Sequence, residues 1–117
     1  RSNSLGGRLM PIDAGTVTVA AAGTAKQLSS GLSANASVRA RSRILWIEIH
    51  PRSDNSGAKS YFGRSTVSST YGREILKGVG EKFTFGTESG PLTELFNVFY
   101  VDSDTNGDEV DFVVAYE

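Results

Sequence analysis

The sequence predicts an all-β fold, a single antiparallel sandwich or small barrel preceded by an extended N-terminal arm. Three observations carry this. Short segments rich in β-branched and aromatic residues recur at close intervals, with turn-forming residues between them. No stretch keeps apolar residues at i, i+3, i+4 and i+7 for three turns, so no substantial helix is expected. The 117 residues are 38% apolar and 21% charged, which suits one domain with a real core and lacks the charge excess of a disordered chain.

Residues 1–15 show neither periodicity, and Gly6, Gly7 and Pro11 break helix and central strand alike. This segment reads as the arm and residues 16–117 as the domain, with Leu9, Met10 and Ile12 available as the arm's anchors on a partner. Thr16–Ala20 alternates polar and apolar residues as a strand does. Gly23 makes the alanine-rich segment after it irregular, and residues 31–37 form a loop of small polar residues.

Ile44–Ile49 (I-L-W-I-E-I) is the strongest strand, stopped by Pro51. Ser53–Gly57 is turn chemistry and Ser60–Gly63 a return strand. Thr66–Ser68, Glu74–Leu76 and Lys82–Phe85 read as further brief strands. Glu94–Val101 and Val110–Tyr116 read as a closing pair joined at Asn106-Gly107, which favours the positive φ values of a hairpin turn. Along the last strand, Val110, Phe112, Val114 and Tyr116 share one face.

Several function classes find no support. A net charge of −1 is not that of a general nucleic-acid binder. The absence of cysteine removes thiolate chemistry, and no apolar run approaches the ~18 residues that span a bilayer. His50 is the sole histidine, and nothing near it in sequence supplies the third group that orients a nucleophile–base pair. Glu48 and Glu74 are typical of carboxylates that could meet through space, but nothing marks them out. Asp102, Asp104, Asn106 and Asp108 open like a calcium loop, yet position twelve is Val113 and both flanks read as strand. That stretch reads as a solvated acidic turn, with a weak tip site for calcium as the other reading. No enzyme, cofactor or metal centre is expected.

Two features point to adhesion. Arg39, Arg41 and Arg43 alternate, so an extended chain would project them to one side, where they could grip an acidic protein surface or phosphate, or guard a strand edge. Leu45, Ile47 and Ile49 continue the same parity, so either a bulge near Ser42 switches faces or the strand meets a partner there. Trp46, Tyr61 and Tyr71, with Phe62 and Tyr100, could form a sugar-stacking platform or a protein hot spot, or serve as core.

Val17–Ser29 (V-T-V-A-A-A-G-T-A-K-Q-L-S), R-I-L-W-I-E-I-H-P, S-Y-F-G-R-S-T-V-S-S-T-Y-G, I-L-K-G-V-G-E-K-F-T-F and N-V-F-Y-V-D-S-D-T-N-G-D-E-V-D-F-V-V-A-Y follow one another in order. This succession resembles small structural proteins of tailed bacteriophages and covers most of residues 17–117. The resemblance implies a jelly-roll-like sandwich acting as a capsid decoration, or cement, protein on the outside of the head. Its partner would be the major capsid protein or another virion protein. It would act as a homo-oligomer, a trimer or dimer, made in the bacterial cytoplasm and residing in the virion. Neck, tail and fibre-base proteins are further places for such a fold. The rival reading is a carbohydrate-binding or receptor-binding module.

Overall fold

The β-branched and aromatic segments become eight strands in the computed structural model, which describes residues 11–87 and 89–117. They are β1 (Ile12–Val19), β2 (Lys26–Gln27), β3 (Ile44–Pro51), β4 (Lys59–Gly63), β5 (Arg73–Leu76), β6 (Glu81–Thr84), β7 (Tyr100–Ser103) and β8 (Asp108–Tyr116). Helix among the described residues is confined to two 3-10 turns, Leu28–Gly31 and Phe96–Val98. One sheet has the order β1-β8-β3-β6 and the other β2-β7-β4-β5, with neighbours antiparallel. The partners nest: β1 with β8, β2 with β7, β3 with β6, β4 with β5. A long hairpin folded over itself gives this order, and the sandwich is jelly-roll-like.

The period-2 pattern of β8 sets the core. Val110, Phe112, Val114 and Tyr116 all face inward, and β8 lies between β1 and β3, so its apolar row forms the floor of the first sheet. Val17, Val19, Ile44, Ile47 and Ile49 flank it, and Phe62, Ile75, Phe99 and Val101 close over it from the other side. Rings join the layers: Phe62 of β4 stacks on Phe83 of β6 with centroids 4.5 Å apart, and Phe96 meets Phe112 at 5.6 Å. A smaller cluster of Leu45, Leu92 and Ala115, with Trp46 against it, sits on the outer face of the first sheet.

The structure differs from expectation at five places. First, Ile12–Gly15, assigned to the arm, form the first half of β1 and pair with Phe112–Ala115, so the sandwich begins at Ile12 and not at Thr16. Leu9 and Met10 lie outside the described residues. Second, β7 and β8 are not a hairpin. They belong to opposite sheets, and Asn106-Gly107 (Gly107 φ +84°) turns the corner between them. The turn chemistry was legible, but β8 has β1 and β3 on its two edges, which leaves none for β7.

Third, Glu94–Val101 is not one strand. The 3-10 turn at Phe96–Val98 resets its phase, so Phe96, Phe99 and Val101 all enter the core. Fourth, Thr66–Ser68 is not a strand: the Val67 N–H donates to the Arg64 carbonyl to close one turn, and reciprocal backbone bonds between Ser68 and Tyr71 close the next, while β2 appears at Lys26–Gln27. Fifth, the change of face in β3 falls at Leu45, where the pairing with β8 shifts between Ile44 and Trp46, rather than near Ser42.

One close approach depends on glycine. A Cβ on Gly15 would stand 2.2 Å from the carbonyl oxygen of Gly31, and one on Gly31 would stand 2.2 Å from that of Thr16. The Leu28–Gly31 turn thus lies directly on β1, and the Gly15–Leu32 bridge covers part of that strand's otherwise open edge.

Candidate interaction surface

Pairing register gathers distant segments at one end of the first sheet. Ile12 pairs with Ala115, and Ile44 with Tyr116. The backbone N–H of Tyr116 donates to the carbonyl of Pro11 (3.0 Å), and that of Glu117 to the carbonyl of Arg43 (2.9 Å). The beginning of β1, the end of β8 and the segment entering β3 therefore meet. Four of the sequence-predicted contact residues, Ile12, Arg39, Arg41 and Arg43, lie at this end.

The arginines are not arranged as a strand row. The N–H of Ser42 donates to the carbonyl of Arg39 (2.9 Å), closing a turn that breaks the extended geometry on which their alternation depended. Arg39 Nη1 donates to the carbonyls of Ala36, Ser37 and Val38, and Arg43 Nη1 to that of Thr93. Arg41 is exposed at the apex, with no bonded partner among the described residues. Ile12, at the start of β1 at the same end, is 58% exposed.

Asp13 holds this loop to β1. Its Oδ2 accepts from the N–H groups of Ser37 (2.8 Å) and Val38 (2.7 Å). Burial pushes its carboxyl pKa up, but hydrogen bonds from Tyr116 and those two N–H groups, with the Arg39 charge, outweigh that and leave it below the ordinary value. The apolar–basic end is thus presented on a fixed turn.

The outer faces of the two sheets carry the remaining candidates. On the first, Arg52 Nε reaches Asp111 (3.1 Å) and its Nη1 reaches Glu109 (2.9 Å), while Thr16 donates to Asp111 (2.6 Å). Burial opposes ionisation of Asp111, and the bonds from Arg52 and Thr16 overcome it, lowering its pKa. His50 Nε2 lies 3.1 Å from Glu48 Oε1 on the same face. Glu74 is on the outer face of the second sheet, paired with Lys59 at 3.3 Å. Glu48 and Glu74 therefore do not converge.

The acidic turn is a brace rather than a solvated tip. Asp102 and Asp108 are buried. Asp102 Oδ1 accepts from the N–H groups of Gly23 and Ser103, Asp108 accepts from those of Ser56 and Gly57, and Asn106 Oδ1 from that of Ala22. These bonds tie residues 22–23 and 56–57 to the β7–β8 corner. Aspartate at a turn signals local capping; the distant amides that it would cap were not legible.

The aromatic residues proposed as a platform are dispersed. Tyr61 is buried and donates to Asp104 Oδ1 (2.5 Å), Trp46 is half-buried on the other sheet with Lys82 Nζ 4.3 Å above its ring, and Tyr71 is exposed on the turn before β5. Burial first, then the bond to Asp104, push the Tyr61 phenol up to about 12 from 10.0. The folded chain thus keeps a proton that the unfolded chain releases above pH 10, so stability is intact below that pH and falls as pH rises toward 12. In Tyr61→Phe, the urea midpoint should decline less steeply across that window; an unchanged slope would disprove the assignment.

No family model matches the chain, and no curated protein sequence does. Among solved structures, a chain of the cyanophage Pam1 capsid asymmetric unit is similar at a TM-score of 0.39. The identity is 14%, and the match covers 99% of this chain and 89% of that one.

Proposed function

We propose that the protein is a virion structural protein of a tailed bacteriophage, a capsid decoration (cement) protein that binds the outer surface of the head through the Arg39–Arg43 end. The observation that carries this reading is that Ile12, Arg39, Arg41 and Arg43 lie at one end of the sandwich. The succession of motifs over residues 17–117 supports the same reading. The chain does its work by adhesion, without a reaction, on the major capsid protein or another virion protein, and it acts as a small homo-oligomer.

Cementing needs contact area and fixed geometry. A stable specific interface buries ~1,600 Å² in total, within reach of one end of a domain this size together with the residues leading into β1. An end that carries an exposed apolar side chain and exposed arginines suits an acidic surface with some apolar area. An oligomer that engages several capsomers gains avidity, because each later contact is effectively intramolecular.

Cosedimentation with heads of the parent phage tests the reading. The protein should pellet with heads at low salt, and the bound fraction should fall as ionic strength rises, since exposed guanidinium contacts are screened. Protein that stays in the supernatant at every salt concentration would refute it.

A further inference from the structure

The second sheet carries a pocket for which the docking end has no use. Gln27 of β2 pairs with Tyr100 of β7, and both project from the outer face. The Phe96–Val98 turn, held by the bond from Asn97 N–H to the carbonyl of Ala40 (2.7 Å), sets Asn97 and Val98 beside them. Arg64 and Ser65, just past β4, complete a cavity of ≈ 460 Å³.

Its polar groups are positioned and available. Gln27 Nε2 donates to the carbonyl of Asn97 (2.5 Å), which fixes that side chain and leaves its Oε1 open. The Asn97 amide and the Tyr100 hydroxyl have no bonded partner among the described residues. Arg64 Nη2 is paired with Glu94 at 2.7 Å, and its guanidinium lies 5.4 Å from the Phe99 ring centroid. The partly exposed pair offsets the guanidinium charge without removing it. An aromatic and an aliphatic wall, two amides and two hydroxyls, with the one lining charge offset by Glu94, match a neutral polyhydroxylated ring more closely than a carboxylate or phosphate.

We propose that this pocket binds a neutral pyranose unit of a saccharide. Tyr100 and Val98 cover the C–H face of the sugar, and the Gln27 and Asn97 amides donate to and accept from adjacent hydroxyls, with Ser65 at the rim. The site uses none of Trp46, Tyr61 and Tyr71, and it stands or falls independently of the virion reading.

Saturation-transfer NMR with tetrasaccharides of glucose, galactose, mannose and N-acetylglucosamine, each at about 10 mM, tests it. At least one should bind the native chain. Asn97→Ala and Tyr100→Ala should each weaken that binding by about tenfold with the melting temperature nearly unchanged, and Val79→Ala, at an exposed site elsewhere, should leave it intact. Asn97→Ala decides the matter if Tyr100→Ala fails to fold. Absence of binding across the panel, or binding that survives Asn97→Ala, would overturn the proposal. So would binding of hexaglutamate in place of saccharide with loss in Arg64→Gln, which would make this an acidic-peptide pocket.

Discussion

Phe112→Ala should lower the free energy of unfolding by about 3–5 kcal/mol, the largest loss expected from a single truncation in this chain. The ring is 1% exposed at the middle of β8, the strand on which both β1 and β3 depend. It packs on Phe96 and lies over Gly15, where an added Cβ would stand 2.7 Å from its Cζ. The cavity does not close by a simple shift of β1, because the Gly31 carbonyl crowds Gly15 on the same face as the ring: an added Cβ there would stand 2.2 Å from that oxygen. For a domain of this size the melting temperature should fall by roughly 10–25 °C. Calorimetry or urea titration measures this, and a loss below about 1 kcal/mol would show that the ring is not the keystone described.

The second large effect is on attachment. Replacing Arg39, Arg41 and Arg43 together with alanine should weaken head binding by about a hundredfold, as expected for loss of three charge contacts of about 1 kcal/mol each. Stability should change by no more than about 1 kcal/mol, because Arg41 bonds to no described residue, and of the bonds from Arg39 and Arg43 only the long one to the Val38 carbonyl (3.3 Å) is partly buried, the others being exposed where water can replace them. Titration of heads with labelled protein reads the affinity. A variant that binds within twofold of the native chain would remove the arginine turn from the contact.

Strand content and the core face of β8 were legible because alternation is a local signal: Val110, Phe112, Val114 and Tyr116 needed no knowledge of the rest of the chain. Pairing was not local. Asn106-Gly107 announced a turn correctly, but whether the turn joins neighbours in one sheet or crosses to the other depends on which strands already occupy the edges of β8. The two-residue β2 carries no periodicity to read. It exists because β7 offers it an edge.

The contact residues were legible by composition and misjudged in geometry. Three arginines at alternate positions suggested a strand face, and the Arg39–Ser42 turn breaks that face while keeping all three exposed at one end of the sandwich. Ile12 was read as an apolar anchor of the arm, but its place in β1 follows from pairing with Ala115 near the end of β8. Removing residues 1–15 therefore takes half of β1 with it, so residues 12–15 belong to the sandwich and not to an arm. The buried role of Asp102 and Asp108 escaped for the same reason, since the amides they accept from lie in distant loops.

Amide hydrogen exchange on the protein free and bound to phage heads tests the docking end most directly. Slowed exchange should concentrate at residues 12–14 and 36–43, with the corner at Asp104–Gly107 unchanged. Protection centred on that acidic corner, with the arginine turn exchanging as fast as in the free protein, would contradict the account.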